Sequence, residues 1–270
     1  MKTIKFFWIF LLMMMVAVSS FAQQNDALLE ILQSELNKNK AQFDKDQAGV
    51  YLLSYRVDDK TTHYIGSSFG SLVGNNQSRE RILTVQVRVG NFEMDNFHEL
   101  RDDYSDYFIT GTSSIKLPLT DDSKAIAQIL WRETDKAFRE AKQRYDKVKA
   151  NVAVKAEEED HAPDYSTAAQ EIYFEPAITD LSLDETLWIQ RLKELSAVFN
   201  HNKDAQEGSS TIQFTILRKY FVNSDNTSIV QNNTFCHLFI NVEGQANDGM
   251  YLPLYQSYFA HTPNQLPDQS

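Results

Sequence analysis

An α+β protein, in which an antiparallel or mixed β-sheet packs against helices, is predicted by three observations. Long stretches carry apolar residues at helical spacing, Arg81 to Gly90 alternates apolar with polar residues, and three further strand-like runs lie toward the end of the chain.

The first residues read as a secretory signal. Met1 to Lys5 are basic, Phe6 to Val18 form an unbroken apolar run of thirteen residues, and Ser19-Ser20-Phe21-Ala22 places small residues before a cut after Ala22. Thirteen residues are short for a bilayer span, which needs about 20. Cleavage predicts a periplasmic or secreted protein, and it removes Lys2 and Lys5, taking the formal charge from -11 to -13. Such an acidic chain repels phosphate backbones, which excludes nucleic acid as a partner, and no membrane association is expected after cleavage. The one cysteine, Cys236, cannot form an internal disulfide and reads as a buried, inert thiol.

Asn25-Asp26 can cap a helix with Leu28, Leu29, Ile31, Leu32 and Leu36 on one side. Val50 to Val57 reads as a strand, Asp58-Asp59-Lys60 as a turn, and His63 to Ile65 as the second strand of that hairpin, with Gly66, Gly70 and Gly74 interrupting the chain beyond it. Arg81 to Gly90 then places Leu83, Val85, Val87 and Val89 on one face. Residues 91–120 read as a long irregular excursion. Asp121-Asp122 open the longest helix, with the stripe Ile126, Leu130, Ala137, Ala141, Tyr145 and Val148.

Residues 155–170 are acidic, with a proline and small residues, and read as a linker between an N-terminal α+β region (23–154) and a second one (171–270); 23–270 as one compact domain is the alternative. In the second region Ser182 and Glu185 make a capping box ahead of Trp188, Leu192, Leu195 and Phe199. Strand-like runs follow at Thr211 to Asn223, Thr227 to Val242 and Met250 to Ala260. The order helix plus three strands, twice, reads either as a duplicated unit or as an accidental likeness.

Chemistry is sparse. His98-Glu99-Leu100-Arg101-Asp102-Asp103 starts like a zinc-binding helix but has Asp102 and Asp103 where the second imidazole belongs. Gly66-Ser67-Ser68-Phe69-Gly70 has the GxSxG spacing, but IGSSFGSLVG leads into strand and not helix, so it does not read as a nucleophile elbow, and no cysteine–histidine pair has an orienting neighbour. Asp58-Asp59 and Asp102-Asp103 are carboxylate pairs that a turn and a solvated loop explain. In Arg218 to Gln231, Asp225 and Asn226 have the chemistry of a turn centre, with Tyr220 and Val222 on one face and Arg218 and Phe221 at other positions.

Six segments together resemble the N-terminal region of secreted bacterial members of the TldD/PmbA (modulator of DNA gyrase) metallopeptidase family. They are LLSYRVDD (52–59), SSFGSLVGNNQSRERILTVQVRVG (67–90), LWRETDKAFREA (130–141), ELSAVF (194–199), RKYFVNSDNTSIVQ (218–231) and NDGM (247–250). The resemblance implies a mixed α+β domain without catalytic residues, cofactor or metal of its own, zinc being expected in a separate C-terminal half that carries HExxxH. It implies a truncated or split gene product, with a catalytic-half polypeptide or homologous subunit as partner and a peptide as substrate. A stand-alone cell-envelope binding or scaffold protein is the alternative. Arg218, Tyr220, Asn223 and Asp225 are the residues it marks as a cavity or partner surface.

Overall fold

The computed structural model describes residues 26–47, 49–100, 112–153, 162–178 and 183–267. The expected signal segment, Ser182, Asp102 and Asp103 lie outside them, as does part of the expected linker. Among the described residues there are three α-helices and seven strands: α1 (Ala27–Lys45), β1 (Val50–Ser68), β2 (Ser71–Val89), β3 (Thr112–Lys116), α2 (Ser123–Val152), β4 (Ile172–Phe174), α3 (Glu185–Ala197), β5 (Ala205–Asn223), β6 (Ser228–Gln245) and β7 (Tyr251–Ala260). This is the expected α+β class. All seven strands join one sheet in the order β3-β2-β1-β5-β6-β4, with β7 also pairing β6. Only β4 runs parallel to its neighbour.

Each helix starts on an aspartate. Asp26 accepts from the Leu29 amide, Asp122 from Lys124 and Ala125, and Asp184 from Leu187, so short carboxylates satisfy amides that lack an intrahelical partner. The cap of α3 is thus Asp184, two residues later than the expected Ser182.

The segment expected to turn at Asp58-Asp59-Lys60 does not turn. Strand β1 runs unbroken for 19 residues, and Asp59 sits in its middle, opposite Arg81 on β2 and Arg218 on β5. A carboxylate with arginines beside it is tolerated mid-strand, so the acidic pair signals a partner, not a break. The turn falls instead at Phe69 and Gly70, both at positive φ (47° and 79°), which suits the twist of a tight hairpin. Gly66 and Gly74 face each other inside the hairpin beside the Tyr64 ring; a Cβ on Gly66 would lie 2.7 Å from the Tyr64 hydroxyl.

One face of the sheet carries all the helices. Leu83, Val85, Val87 and Val89 are buried there with Tyr55 and Val57 against Leu32 and Leu36 of α1 and Ile126, Leu130, Ala137 and Ala141 of α2. A second cluster packs Trp188 and Leu192 of α3 on Ile65, Ile212, Phe214, Ile216, Cys236 and Leu238. Leu195 is only partly buried, and Phe199 leaves the helix in a 3-10 turn, Val198–His201, to pack over Gly208.

The duplicated order is visible in the register. Ala205 begins β5 155 residues after Val50 begins β1, and this offset maps the pairs of β1–β2 onto those of β5–β6. Asp58 opposite Ile82 becomes Gln213 opposite His237, and the bulge between Val50 and Leu52 recurs between Ala205 and Glu207. Because β1 and β5 pair antiparallel, the two hairpins are related by a local two-fold axis near Thr61 and Ile216, which face each other.

Two outcomes test this packing. Trp188→Ala should cost about 3 to 5 kcal/mol in urea unfolding, because it empties a large buried site. At the β5–β6 turn, Asn226 has φ 64° and Asp225 donates its amide to Asn223, so Asp225→Asn with Asn226→Gly should hold or raise the thermal midpoint.

Candidate functional site

The centre of the covered face is polar. Between the two apolar clusters, beside the local two-fold axis, lies a cleft of about 530 Å³ whose lining includes Asp59, Thr61, Arg79, Arg81, Arg218 and Tyr220. Strand alternation puts these side chains there. Arg79 and Arg81 continue, on β2, the register of Leu83, Val85 and Val87, and Arg218 and Tyr220 hold the same face of β5 as Val222. Arg218 therefore shares the face of Tyr220, contrary to the expectation that it lay elsewhere on the strand.

The charges are tied into two knots. Arg81 donates from Nε and Nη2 to Asp59 (2.9 and 2.7 Å) and from Nη1 to Asp121 and the Pro118 carbonyl (2.7 and 3.1 Å), and Arg79 adds two bonds to Asp59. Burial pushes the Asp59 carboxyl up, but the bonds from Arg79 and Arg81 outweigh it and hold the group below the usual carboxylate range. In the second knot Arg218 donates to Asp26, Tyr220, Asn232 and the Glu175 carbonyl. Burial, and then the Asp26 charge, push the Tyr220 phenol up to about 12, so it stays protonated and donates to Asp26. Asp26 also caps α1, and Asp121 precedes the cap of α2, so both helix N-termini are fastened to the sheet through this cleft.

The lining balances three arginines against three aspartates. The hydroxyl seated on a carboxylate there, that of Tyr220 on Asp26, is held protonated, so the arrangement is suited to positioning a ligand. Of the arginines, Arg79 is the one open to solvent, with 45 % of its side chain exposed.

The other two expected site residues are elsewhere. Asn223 and Asp225 lie at the end of the β5–β6 hairpin, where the Asn223 side chain accepts from the amides of Asp225 and Thr227 and closes the turn. His98 bonds Asp164 at 2.7 Å; among the described residues no group of three or more metal-ligating side chains converges, so none fits a zinc ion. Burial pushes the Cys236 thiol up to about 12, which leaves it un-ionised at neutral pH.

A second feature is apolar and bare. Strand β7 exposes Tyr251, Leu254, Tyr255 and Phe259 at 58, 70, 67 and 63 %. On the face away from the helices, Phe235, His237 and Phe239 of β6 form a ladder with Phe259 and Tyr255; His237 stacks on Phe259 at 4.4 Å.

Asp59→Ala should cost about 3 kcal/mol at pH 7, since it strips a partner from buried Arg81. A depressed folded-state pKa stabilises the protein above the ordinary Asp value of about 3.9, and that contribution disappears as pH falls through the folded value. The stability gap between the wild type and Asp59→Ala, measured by urea unfolding, should therefore narrow as pH drops below about 4.

No protein-family model and no curated protein matches the sequence. Solved structures do. A candidate modulator of DNA gyrase from Bacteroides thetaiotaomicron aligns with TM-score 0.55 and 11 % identity, over 89 % of this chain and 46 % of its own. Another from Thermotoga maritima aligns with TM-score 0.50 and 12 % identity, over 87 % and 44 %. TldE from Thermococcus kodakarensis aligns with TM-score 0.46 and 8 % identity, over 86 % and 43 %. The chain spans less than half the length of these structures, and over that span it has the fold of TldD/PmbA-type proteins.

Proposed function

We propose that the described part of this chain acts as the non-catalytic N-terminal domain of a TldD/PmbA-like metallopeptidase, working with an HExxxH-bearing catalytic half, and that it shapes a peptide-binding cavity or a dimer interface. The observation that carries this reading is β7. A strand apolar on both faces, with four of its large side chains more than half exposed, is surface of the kind that proteins bury against a partner. The shared fold, over less than half the length of each of those structures, supports the assignment to one part of such a protein. Zinc and the bond-breaking step belong, in this reading, to the partner that carries HExxxH. The chain itself supplies the cleft, in which Arg79 is the cation that solvent reaches.

The leader segment supports export, with cleavage after Ala22 and work in the periplasm or outside the cell. A second reading, a stand-alone binding or scaffold protein of the cell envelope, is favoured by the cleft, whose charges are satisfied within the chain.

Co-expression of residues 23–270 with an HExxxH-bearing polypeptide from the same genome should give co-elution on gel filtration. Tyr255→Ser with Phe259→Ser should abolish it while lowering stability by only about 1 to 2 kcal/mol, the worth of the cross-strand ring contacts removed. A chain that stays monomeric with every such polypeptide would favour the stand-alone reading.

A further inference from the structure

The two halves of the sheet are built alike, but one lacks a layer. The 155-residue offset that maps β1–β2 onto β5–β6 takes Leu83, Val85 and Val87 to Leu238, Ile240 and Val242, aliphatic for aliphatic. In the first half these three are fully buried, under the α2 stripe of Ile126, Leu130, Ala137 and Ala141. In the second half α3 packs with Leu238 and Tyr258, and its reach ends there. Ile240 and Val242 are half-buried, and Leu254 and Leu252, on β7 beyond them, are 70 and 48 % exposed. Among the described residues no α-helix follows β7, whereas α2 follows β3.

We propose that the helix-side face of outer β6–β7, formed by Ile240, Val242, Leu252 and Leu254, is the docking site for an amphipathic helix of a separate polypeptide. The internal two-fold specifies the occupant. The same aliphatic row in the first half is covered by a helix whose Ala137 and Ala141 let the backbone come close, so the partner helix presents a stripe of aliphatic and small residues at the same spacing. Helix α2 of a second copy is not that partner, because its stripe is buried in its own copy. A strand added at the outer edge would leave this face bare, and Pro253 removes a ladder donor from β7. The inference rests on the reading of β7 as a partner surface and names what one of its two faces receives.

The probe is a fluorescein-labelled peptide with the sequence of Ser123–Val152, titrated by anisotropy into the mature chain, residues 23–270. Saturable one-to-one binding is expected. Leu254→Asp should weaken it at least about tenfold, because the helix would bury an unpaired charge. Phe259→Ser, on the opposite face, should leave it within about twofold, as a position outside the contact does. A control peptide with Leu130→Asp should not bind. Leu254 is exposed, so the variant should keep the wild-type melting curve, which separates lost docking from lost folding. Absence of binding, equal binding to Leu254→Asp, or Leu254-dependent uptake by phosphatidylglycerol vesicles without peptide binding would overturn the proposal. Peptide binding without co-elution of an HExxxH-bearing polypeptide would sink only the metallopeptidase reading; co-elution without Leu254-dependent peptide binding would sink only this one.

Discussion

The pairing of β1 with β5 is the constraint on which the remaining structure depends. It runs without a break from Ser54 opposite Asn223 to Ser68 opposite Ser209, and it is the seam that makes two hairpins into one sheet. Its register settles which side chains meet at the centre. With β1 held in place, a slip of one residue in β5 would send Arg218 and Tyr220 to the face without helices, bring Lys219 inward and leave Asp59 opposite the wrong side chain. The positions of both apolar clusters follow from the same seam, since Tyr55 and Val57 serve one and Ile65 and Ile212 the other.

Between those clusters the helices leave a gap, and it is filled with charge. Placing three arginines and three aspartates there is a weak source of net stability, because desolvation offsets much of the attraction. Its effect is one of geometry. Asp26 meets Arg218 at 3.0 Å and Asp121 meets Arg81 at 2.7 Å, so each helix start has one allowed position on the sheet. Apolar packing alone would let α1 and α2 slide.

Much of this was legible in the residues. The alternation of Leu83, Val85, Val87 and Val89, the stripe of α2 and the turn at Asp225-Asn226 depend on local spacing and turn chemistry, and the structure has them where those features place them. The cleft was harder to see. Asp58-Asp59 has the composition of a turn, and only the arginines across the strands, Arg79 and Arg81, make it a strand interior. The signal lies in Arg79-Glu80-Arg81, whose arginines continue the inward parity of Leu83 and Val85, but alternating charges have the pattern of a solvated face until their partners across the strands are known. Arg218 and Tyr220 were marked by resemblance, and the structure joins them in one knot. Asn223 and Asp225, marked in the same way, close a turn, because adjacency along the chain says little about which side chains converge.

The tight turn at Phe69-Gly70 has a consequence for how the molecule is assembled. Hairpin β1–β2 closes on itself within a few residues, and β5–β6 does the same through Asn223 to Thr227, so each can form in microseconds from its own segment. The seam cannot, since its partners lie far apart in the chain and must find each other by diffusion. Folding speed is then governed by one long-range encounter between preformed hairpins, and until it happens β1 and β5 each present an open edge. During that interval each bare edge can pair with a strand of another chain, so the yield of folded protein should fall as concentration rises and recover with a holdase that covers strand edges.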